Sequence, residues 1–406
     1  MKTPSILLAL MITALILGAV LILSPRLQGE LEWRFDRAKG QLRGLLYPGD
    51  TLPVPEGAQE QATVAMSTPS PRPSPTEPLA QTPTAAPTPT ALPAQVSLVS
   101  PAWEKQTWNN CGPATLALAL KIFGWDGDQG DISQVLKPIP GDKNVNVEEL
   151  VYYVRTRAGW LQADFRVGGN LEGVKRFLAE GYPVIVEKGT IIEAGGGGWA
   201  GHYLLLTGYD DSSREFIAQD SYAGPDQHVP YHTLDEDWKA FNRVLLYLFP
   251  PGDQDEIDEI LGVDSDPTAN RQRALERAQA EVDADAQDPY AWFNVGTNLS
   301  YFERYAEAAQ AFDQAFQLGL PWRFMRYQFG PYISYYNVGR YEDVIALADS
   351  TLRRTPECEE SFLWRGWAKL ALGDGQGARD DFLRSLKVNP NYLDGQYALD
   401  FIGQSP

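Results

Sequence analysis

One cysteine in front of a strong helix-forming run constrains the fold of this chain more than any other feature. Cys111 is followed by Gly112 and Pro113, which suit a turn and then a first helical position, and by an Ala/Leu-rich run over residues 114–120. The sequence therefore predicts Cys111 at a helix N-terminus, where the helix dipole and unpaired N–H groups favour the nucleophilic thiolate. The alternative is a buried structural cysteine, the commoner role of a free thiol.

A predicted β-hairpin downstream supplies partners for this thiol. Residues 201–209 read as a buried strand with His202 near its start, and residues 215–220 form a second strand after a short polar turn. So short a turn makes the strands antiparallel and brings Asp220 back beside His202. A carboxylate there can accept from one imidazole nitrogen and orient the other toward Cys111. The alternative is a capping histidine and a turn aspartate.

A glutamine lies five residues before the cysteine. The side-chain amide of Gln106 could donate to a developing oxyanion, together with the backbone N–H of Cys111. Gln106 therefore joins the predicted site.

At these residues the sequence resembles the papain-clan cysteine peptidases of the bacteriocin-processing, double-glycine leader type. The resemblance covers about residues 96–250 and rests on three motifs: Gln106 with Cys111-Gly112-Pro113, Gly201-His202-Tyr203, and Gln219-Asp220-Ser221. It implies Cys111 as the nucleophile, His202 as the general base and acid, Asp220 as the orienting carboxylate and Gln106 as the oxyanion donor. In the family the aspartate is commonly followed by proline, where this chain has Ser221.

The first 95 residues predict a membrane anchor and a spacer. Residues 5–24 are almost uninterruptedly apolar and long enough to span a bilayer, so a transmembrane anchor is predicted over 1–25, with a cleaved signal peptide as the alternative. A juxtamembrane segment, 26–46, follows. Residues 47–95 are dominated by Pro, Thr, Ser and Ala and predict a disordered linker that cannot bury a core.

Two features of the sequence give opposite indications of the side of the membrane on which the folded body lies. A strict count of the basic residues that follow the apolar run places the folded body in the cytoplasm. The Pro/Thr/Ser-rich linker has the character of an extracytoplasmic stalk. We expect the body outside the cytoplasm.

Charge and cysteine usage restrict the classes of function. The net charge of −19 and the pI near 4.6 argue against nucleic-acid binding. Cys111 and Cys358 lie in different predicted domains, so no disulfide between them is expected. Neither a metal nor a cofactor is expected, because no metal-ligand spacing surrounds the histidines, which are His202, His228 and His232.

The first folded domain, residues 96–250, is predicted to be α+β, with helices first and an antiparallel sheet after them. The nucleophile then comes from a helix and the base from the sheet. The glycine-rich run 194–199 before His202 is either a covering flap or a plain connection. His228 and His232 are predicted to be surface residues.

The second half of the chain repeats itself. After an acidic connector, 251–266, apolar and small residues recur over 267–402 at spacings near 34 residues, which resembles tetratricopeptide repeats. This resemblance implies an all-α array that offers a groove or docking face for a peptide or partner protein. The aromatic residues of the array are predicted to pack in its core, and they include Trp292, Phe312, Trp364 and Trp367.

Together these features predict a membrane-tethered papain-like thiol hydrolase, a cysteine peptidase, joined to a tetratricopeptide array. The alternative is a catalytically inactive peptide-binding or scaffolding protein with the same fold. Acyl transfer to an amine instead of water would use the same residues and stays open.

Overall fold

The computed structural model describes residues 51–59, 91–139, 141, 143–191 and 198–403, with isolated positions 38, 42 and 46. Four predicted segments lie wholly or partly outside the described residues: the anchor 1–25, nearly all of the juxtamembrane segment, most of the linker, and residues 194–197 of the glycine-rich run. Among the described helices, none is long and apolar enough to cross a bilayer.

The first domain has the predicted α+β arrangement, with helices packed on an antiparallel sheet. In chain order its elements are β1 Gln95–Ser97, α1 Cys111–Ile122, α2 Gln129–Leu136, α3 Val147–Arg157, β2 Gln162–Arg166, α4 Leu171–Ala179, β3 Val184–Ile191, β4 Trp199–Asp210, β5 Glu215–Asp220, β6 Gly224–Pro230, α5 Tyr231–Trp238 and β7 Leu245–Phe249. The strand order is β2-β7-β3-β4-β5-β6, with β1 also paired to β4.

Helix α1 is the buried centre of this domain. Residues 111–120 are all buried, as expected for a helix that is apolar on every side. The hydroxyl of Thr115 donates to the Tyr203 carbonyl of β4 at 3.3 Å, and the Tyr203 hydroxyl donates to the Val145 carbonyl at 3.1 Å. The helix that carries Cys111 is therefore fixed against the strand that carries His202.

The predicted hairpin is present as β4 and β5. Leu205 pairs with Gln219 across it, and Asp210 pairs with Glu215 next to the turn. The register shifts between Leu206 and Gly208, where Gly208 leaves room for β1: a Cβ there would lie 2.5 Å from the Val96 carbonyl oxygen.

The second half of the chain is helical, as predicted. Its helices are α6 Gln254–Leu261, α7 Pro267–Ala284, α8 Pro289–Tyr301, α9 Tyr305–Leu318, α10 Gly330–Asn337, α11 Tyr341–Arg354, α12 Glu359–Ala371, α13 Gly375–Val388 and α14 Leu393–Phe401. From α7 onward, consecutive helices pack against each other. The four aromatic residues predicted to be core all contribute to its hydrophobic clusters. We refer to residues 267–402 as the helical array.

The prediction of a continuous disordered linker over 47–95 is wrong at residues 51–59. The N–H of Leu52 donates to the Leu320 carbonyl at 2.9 Å, and the N–H of Glu56 donates to the Asp343 carboxylate at 2.9 Å. The side chains of Leu52 and Ala58 are buried. Two buried apolar residues and a helical turn that begins at a carboxylate hold this segment on the array.

The first domain and the helical array share a polar and aromatic interface. The Asn242 and Asn298 amides bond to each other, and Asn294 donates to the Lys239 carbonyl at 2.9 Å. Lys143 forms a buried ion pair with Glu359. Aromatic rings from both regions pack together, namely Trp199, Phe241, Tyr290, Phe324 and Tyr327.

Candidate active site

The structure places Cys111 at the first residue of α1, as predicted, with its side chain buried. The loop in front of the helix is held by two polar contacts. Asn110 donates to the Gln129 side chain at 2.9 Å, and the Lys137 ammonium donates to the Asn109 carbonyl at 2.6 Å. The thiol therefore lies beside unpaired helix N–H groups, with a cation nearby.

His202 and Asp220 meet across the β4–β5 hairpin. The imidazole Nε2 lies 2.8 Å from Asp220 Oδ1. The same oxygen accepts from the N–H groups of Tyr222 at 2.7 Å and Ala223 at 3.1 Å. The Trp103 indole donates to the Asp220 carbonyl at 2.9 Å. These contacts fix the carboxylate, occupy Nε2 of the imidazole, and leave Nδ1 available to the thiol.

These contacts shift the pKa values of the histidine and the aspartate in opposite directions. Burial by itself lowers the pKa of His202, but hydrogen bonds with Asp220 and Cys111, together with their charges, raise that pKa to about 9. Burial raises the pKa of Asp220, and the hydrogen bond and charge of His202 more than offset it, so the pKa is lowered. Both shifts favour an imidazolium beside a carboxylate.

The pKa of the Cys111 thiol is lowered, as is the pKa of Asp220. Burial raises the pKa of Cys111, but a hydrogen bond from His202, the charge of His202 and the Tyr203 backbone lower it below its ordinary value. The imidazole of His202 is therefore close enough to the thiol to lower the pKa of Cys111. The arrangement favours a thiolate–imidazolium pair, the reactive form of a cysteine nucleophile.

Gln106 is joined to the residue that follows the aspartate. The Ser221 hydroxyl donates to Gln106 Oε1 at 2.9 Å, and the Gln106 N–H donates to the Ser221 carbonyl at 2.8 Å. Because its oxygen accepts from Ser221, the carboxamide nitrogen is the end able to donate to an oxyanion. The Ser221 hydroxyl, which a proline would lack, thus holds the Gln106 carboxamide.

Glu187 is a buried acidic residue near the candidate site that sequence reasoning missed. It is buried on β3, where it pairs with Tyr203 in register, and it accepts from the Asn144 amide at 3.3 Å. Burial raises the pKa of Glu187 well above its ordinary value, which favours the neutral acid beside Cys111. Its position directly after the apolar run Val184-Ile185-Val186 was the signal in the sequence.

The other histidines lie away from these contacts. His228 is exposed and its Nδ1 lies 3.1 Å from Glu215. His232 is exposed on α5. Both agree with their prediction as surface residues.

The sequence of the first domain matches a known family. Residues 95–246 match the model of the Peptidase_C39 like family. They form a Peptidase_C39-like domain. Its bounds agree with the α+β unit seen in the structure and include all four predicted site residues. Among the curated proteins, none matches the chain.

Solved structures give only distant similarities. A C39-like peptidase from Bacillus anthracis is 16% identical, with 38% of this chain and 97% of that chain covered and a TM-score of 0.32. Xylellain, a cysteine protease from Xylella fastidiosa, is 14% identical, with 39% and 87% covered and a TM-score of 0.32. YrrB, a TPR protein with an unusual peptide-binding site, is 12% identical, with 36% and 97% covered and a TM-score of 0.20.

Proposed function

We propose that the Peptidase_C39-like domain is a thiol hydrolase that cleaves peptide bonds. The observation that supports this proposal is the placement of Cys111 at the start of α1 and of His202 Nε2 at 2.8 Å from Asp220 Oδ1, together with pKa shifts that favour the ionised form of all three groups. A cysteine nucleophile is activated by a helix N-terminus and an adjacent imidazole, and a carboxylate orients that imidazole.

Each residue has a defined part in the reaction. The thiolate of Cys111 attacks the carbonyl carbon, and the tetrahedral oxyanion is held by the Gln106 amide and the Cys111 N–H. His202 gives its proton to the leaving amine, which breaks the C–N bond and leaves a thioester. His202 then takes a proton from water, which attacks the thioester and restores the free thiol. Asp220 keeps the ring oriented throughout.

The decisive experiment uses a thiol-directed acyl probe and a peptide library on the full chain. We expect labelling and cleavage by the wild type and neither by Cys111→Ala. A wild-type protein that binds library peptides but neither labels nor cleaves them would favour the binding or scaffolding alternative. A competing amine that appears in the product would identify acyl transfer instead of hydrolysis.

The proposal extends to the rest of the chain. The repeated pattern of the helical array, which resembles tetratricopeptide units, supports binding of a peptide or partner protein. The apolar run at residues 5–24 supports a membrane tether, and the Pro/Thr/Ser-rich composition of the linker supports a body outside the cytoplasm. Membrane fractionation of the full chain and of a form lacking residues 1–50, with protease added outside intact cells, tests both the tether and the side. Release of the intact chain by high salt would contradict an integral tether.

A further inference from the structure

A cleft lies between the Peptidase_C39-like domain and the helical array. Its volume is about 500 Å³, within the range of small-molecule and side-chain binding pockets. Both regions contribute to it. The peptidase-like domain supplies Phe165, Glu187 and Phe241, and the array supplies Arg271, Tyr301 and Tyr327.

The cleft begins next to the candidate active site. Gly201, the residue before His202, is covered by two of the lining side chains. A Cβ at Gly201 would lie 2.5 Å from Phe241 and 2.8 Å from Tyr327. Glu187 lines the cleft and is also close enough to Cys111 for the charge of the thiolate to raise the pKa of Glu187. Glu187 pairs with Tyr203, the residue after His202, so the cleft adjoins the segment of β4 that carries His202.

The walls of the cleft suit a bulky apolar side chain. Phe165 and Phe241 face it from one region, and Tyr301, Tyr305 and Phe329 face it from the other. Aromatic walls on both sides provide a large contact area for an aromatic or long aliphatic group.

One cation in the cleft has no carboxylate partner. The Arg271 guanidinium carbon lies 4.9 Å from the centre of the Tyr301 ring, and Nη1 lies 3.5 Å from Asn298 Oδ1. In the part of the chain that the structure describes, no carboxylate forms an ion pair with Arg271. Burial lowers the pKa of Arg271. Among the described residues, the one carboxylate whose charge opposes this effect is that of Glu148, an exposed residue that also lines the cleft. The carboxylate of a bound peptide would give the Arg271 guanidinium a charge-assisted hydrogen bond.

We infer that this cleft is a substrate subsite built jointly by the two regions, and that it takes an acidic side chain next to a bulky apolar one. The inference rests on the proposed function, because the peptide must also reach Cys111. The helical array then takes a direct part in specificity, since it supplies both the cation and much of the aromatic wall.

The test compares two peptides, identical except for Glu or Gln beside a Phe, moved through the positions around the cleaved bond. The full chain is used as wild type, Arg271→Gln and Arg271→Lys. Arg273→Gln is the matched control, because Arg273 is on the same helix, is half exposed and pairs with Asp264 at 3.1 Å. We expect the wild type and Arg273→Gln to favour the Glu peptide roughly tenfold in kcat/KM, mainly through KM, as for one charge-assisted hydrogen bond. Arg271→Gln should lose the preference, and Arg271→Lys should keep part of it.

A binding measurement separates this inference from the proposed hydrolysis. Fluorescence anisotropy with labelled Glu and Gln peptides is measured on Cys111→Ala, alone and combined with Arg271→Gln. Preferential binding of the Glu peptide that requires Arg271 supports the subsite even when the wild type cleaves nothing. Cleavage without a Glu preference, an equal preference in Arg271→Gln, or no difference between the peptides in binding would overturn the subsite.

Discussion

The two cysteines of this protein occupy similar positions and have opposite properties. Cys111 is the first residue of α1 in the peptidase-like domain, and Cys358 directly precedes α12 in the helical array. Both are buried and free. The pKa of Cys111 is lowered, whereas burial and the charge of Glu360 raise the pKa of Cys358 well above its ordinary value.

The difference shows that a helix N-terminus alone does not activate a thiol. Cys111 has an imidazole as its charged neighbour. Cys358 has Glu359 and Glu360 after it, its thiol lies 3.5 Å from Glu360 Oε2, and it accepts from the Ser361 hydroxyl at 3.3 Å. Burial penalises the thiolate at both sites, so the sign of the neighbouring charge decides the outcome.

The largest expected effect comes from removing each cysteine in turn. Cys111→Ala should reduce peptide cleavage to background and abolish labelling by a thiol-directed acyl probe, because no other described thiol is activated. Cys358→Ala should leave both signals near the wild-type level. Mass spectrometry of the labelled protein locates the probe. A label on Cys358 would contradict the conclusion that Cys111 is activated and Cys358 is not.

The pH dependence of cleavage tests the origin of the activation. Cleavage needs a protonated His202, whose pKa is about 9, so kcat/KM should fall as pH rises through that value. Asp220→Asn removes the main contribution that raises this pKa, so the decline should move to lower pH. At pH 7 the variant should lose roughly 100-fold in kcat/KM, as expected for a disturbed general base. If kcat/KM of Asp220→Asn fell at the same high pH as that of the wild type, a group other than His202 would control the decline.

The oxyanion contribution is tested by a pair of substitutions. Gln106→Ala should lower kcat by about 100-fold with little change in KM, since it removes a donor used only in the transition state. Ser221→Ala leaves the amide in place but releases its orientation, so a loss of roughly tenfold is expected. Steady-state kinetics on one peptide measures both. Equal losses, or an effect on KM alone, would argue against an oxyanion role for Gln106.

The surroundings of Cys358 should matter for stability instead of catalysis. Lys143→Met leaves the buried carboxylate of Glu359 without its cation and should cost about 3 kcal/mol of unfolding free energy. Burial raises the pKa values of Glu360 and of Glu149, the latter to about 7, so the folded state holds more protons than the unfolded state there. The charge of Lys143 opposes both shifts, so Lys143→Met raises both pKa values further, and the loss of stability should be larger at pH 8 than at pH 5.

Urea denaturation at the two pH values measures this loss. Lys121→Met is the control, because Lys121 pairs with Glu104 at 2.8 Å where both side chains keep some solvent exposure. That variant should lose less than about 1 kcal/mol at either pH. A similar loss in both variants would contradict a special role for the buried pair.

The sequence by itself predicted the elements of the candidate site that depend on local pattern. An Ala/Leu run after Gly112 and Pro113 requires a helix that begins near Cys111. Two apolar segments joined by a short polar turn can pair in only one sense, so Asp220 returns to His202. The apolar repeat of the second half likewise predicted its helices and its aromatic core.

Only the tertiary structure decided the contacts between residues distant in the chain. Gln106 and Ser221 are 115 positions apart, and Lys143 and Glu359 are 216 apart. No local pattern links such pairs, because their proximity follows from how complete helices and strands pack. The docking of residues 51–59 and the cleft beside His202 arise in the same way. The sequence therefore determined which chemical groups are available near the thiol, and packing decided which surfaces surround them.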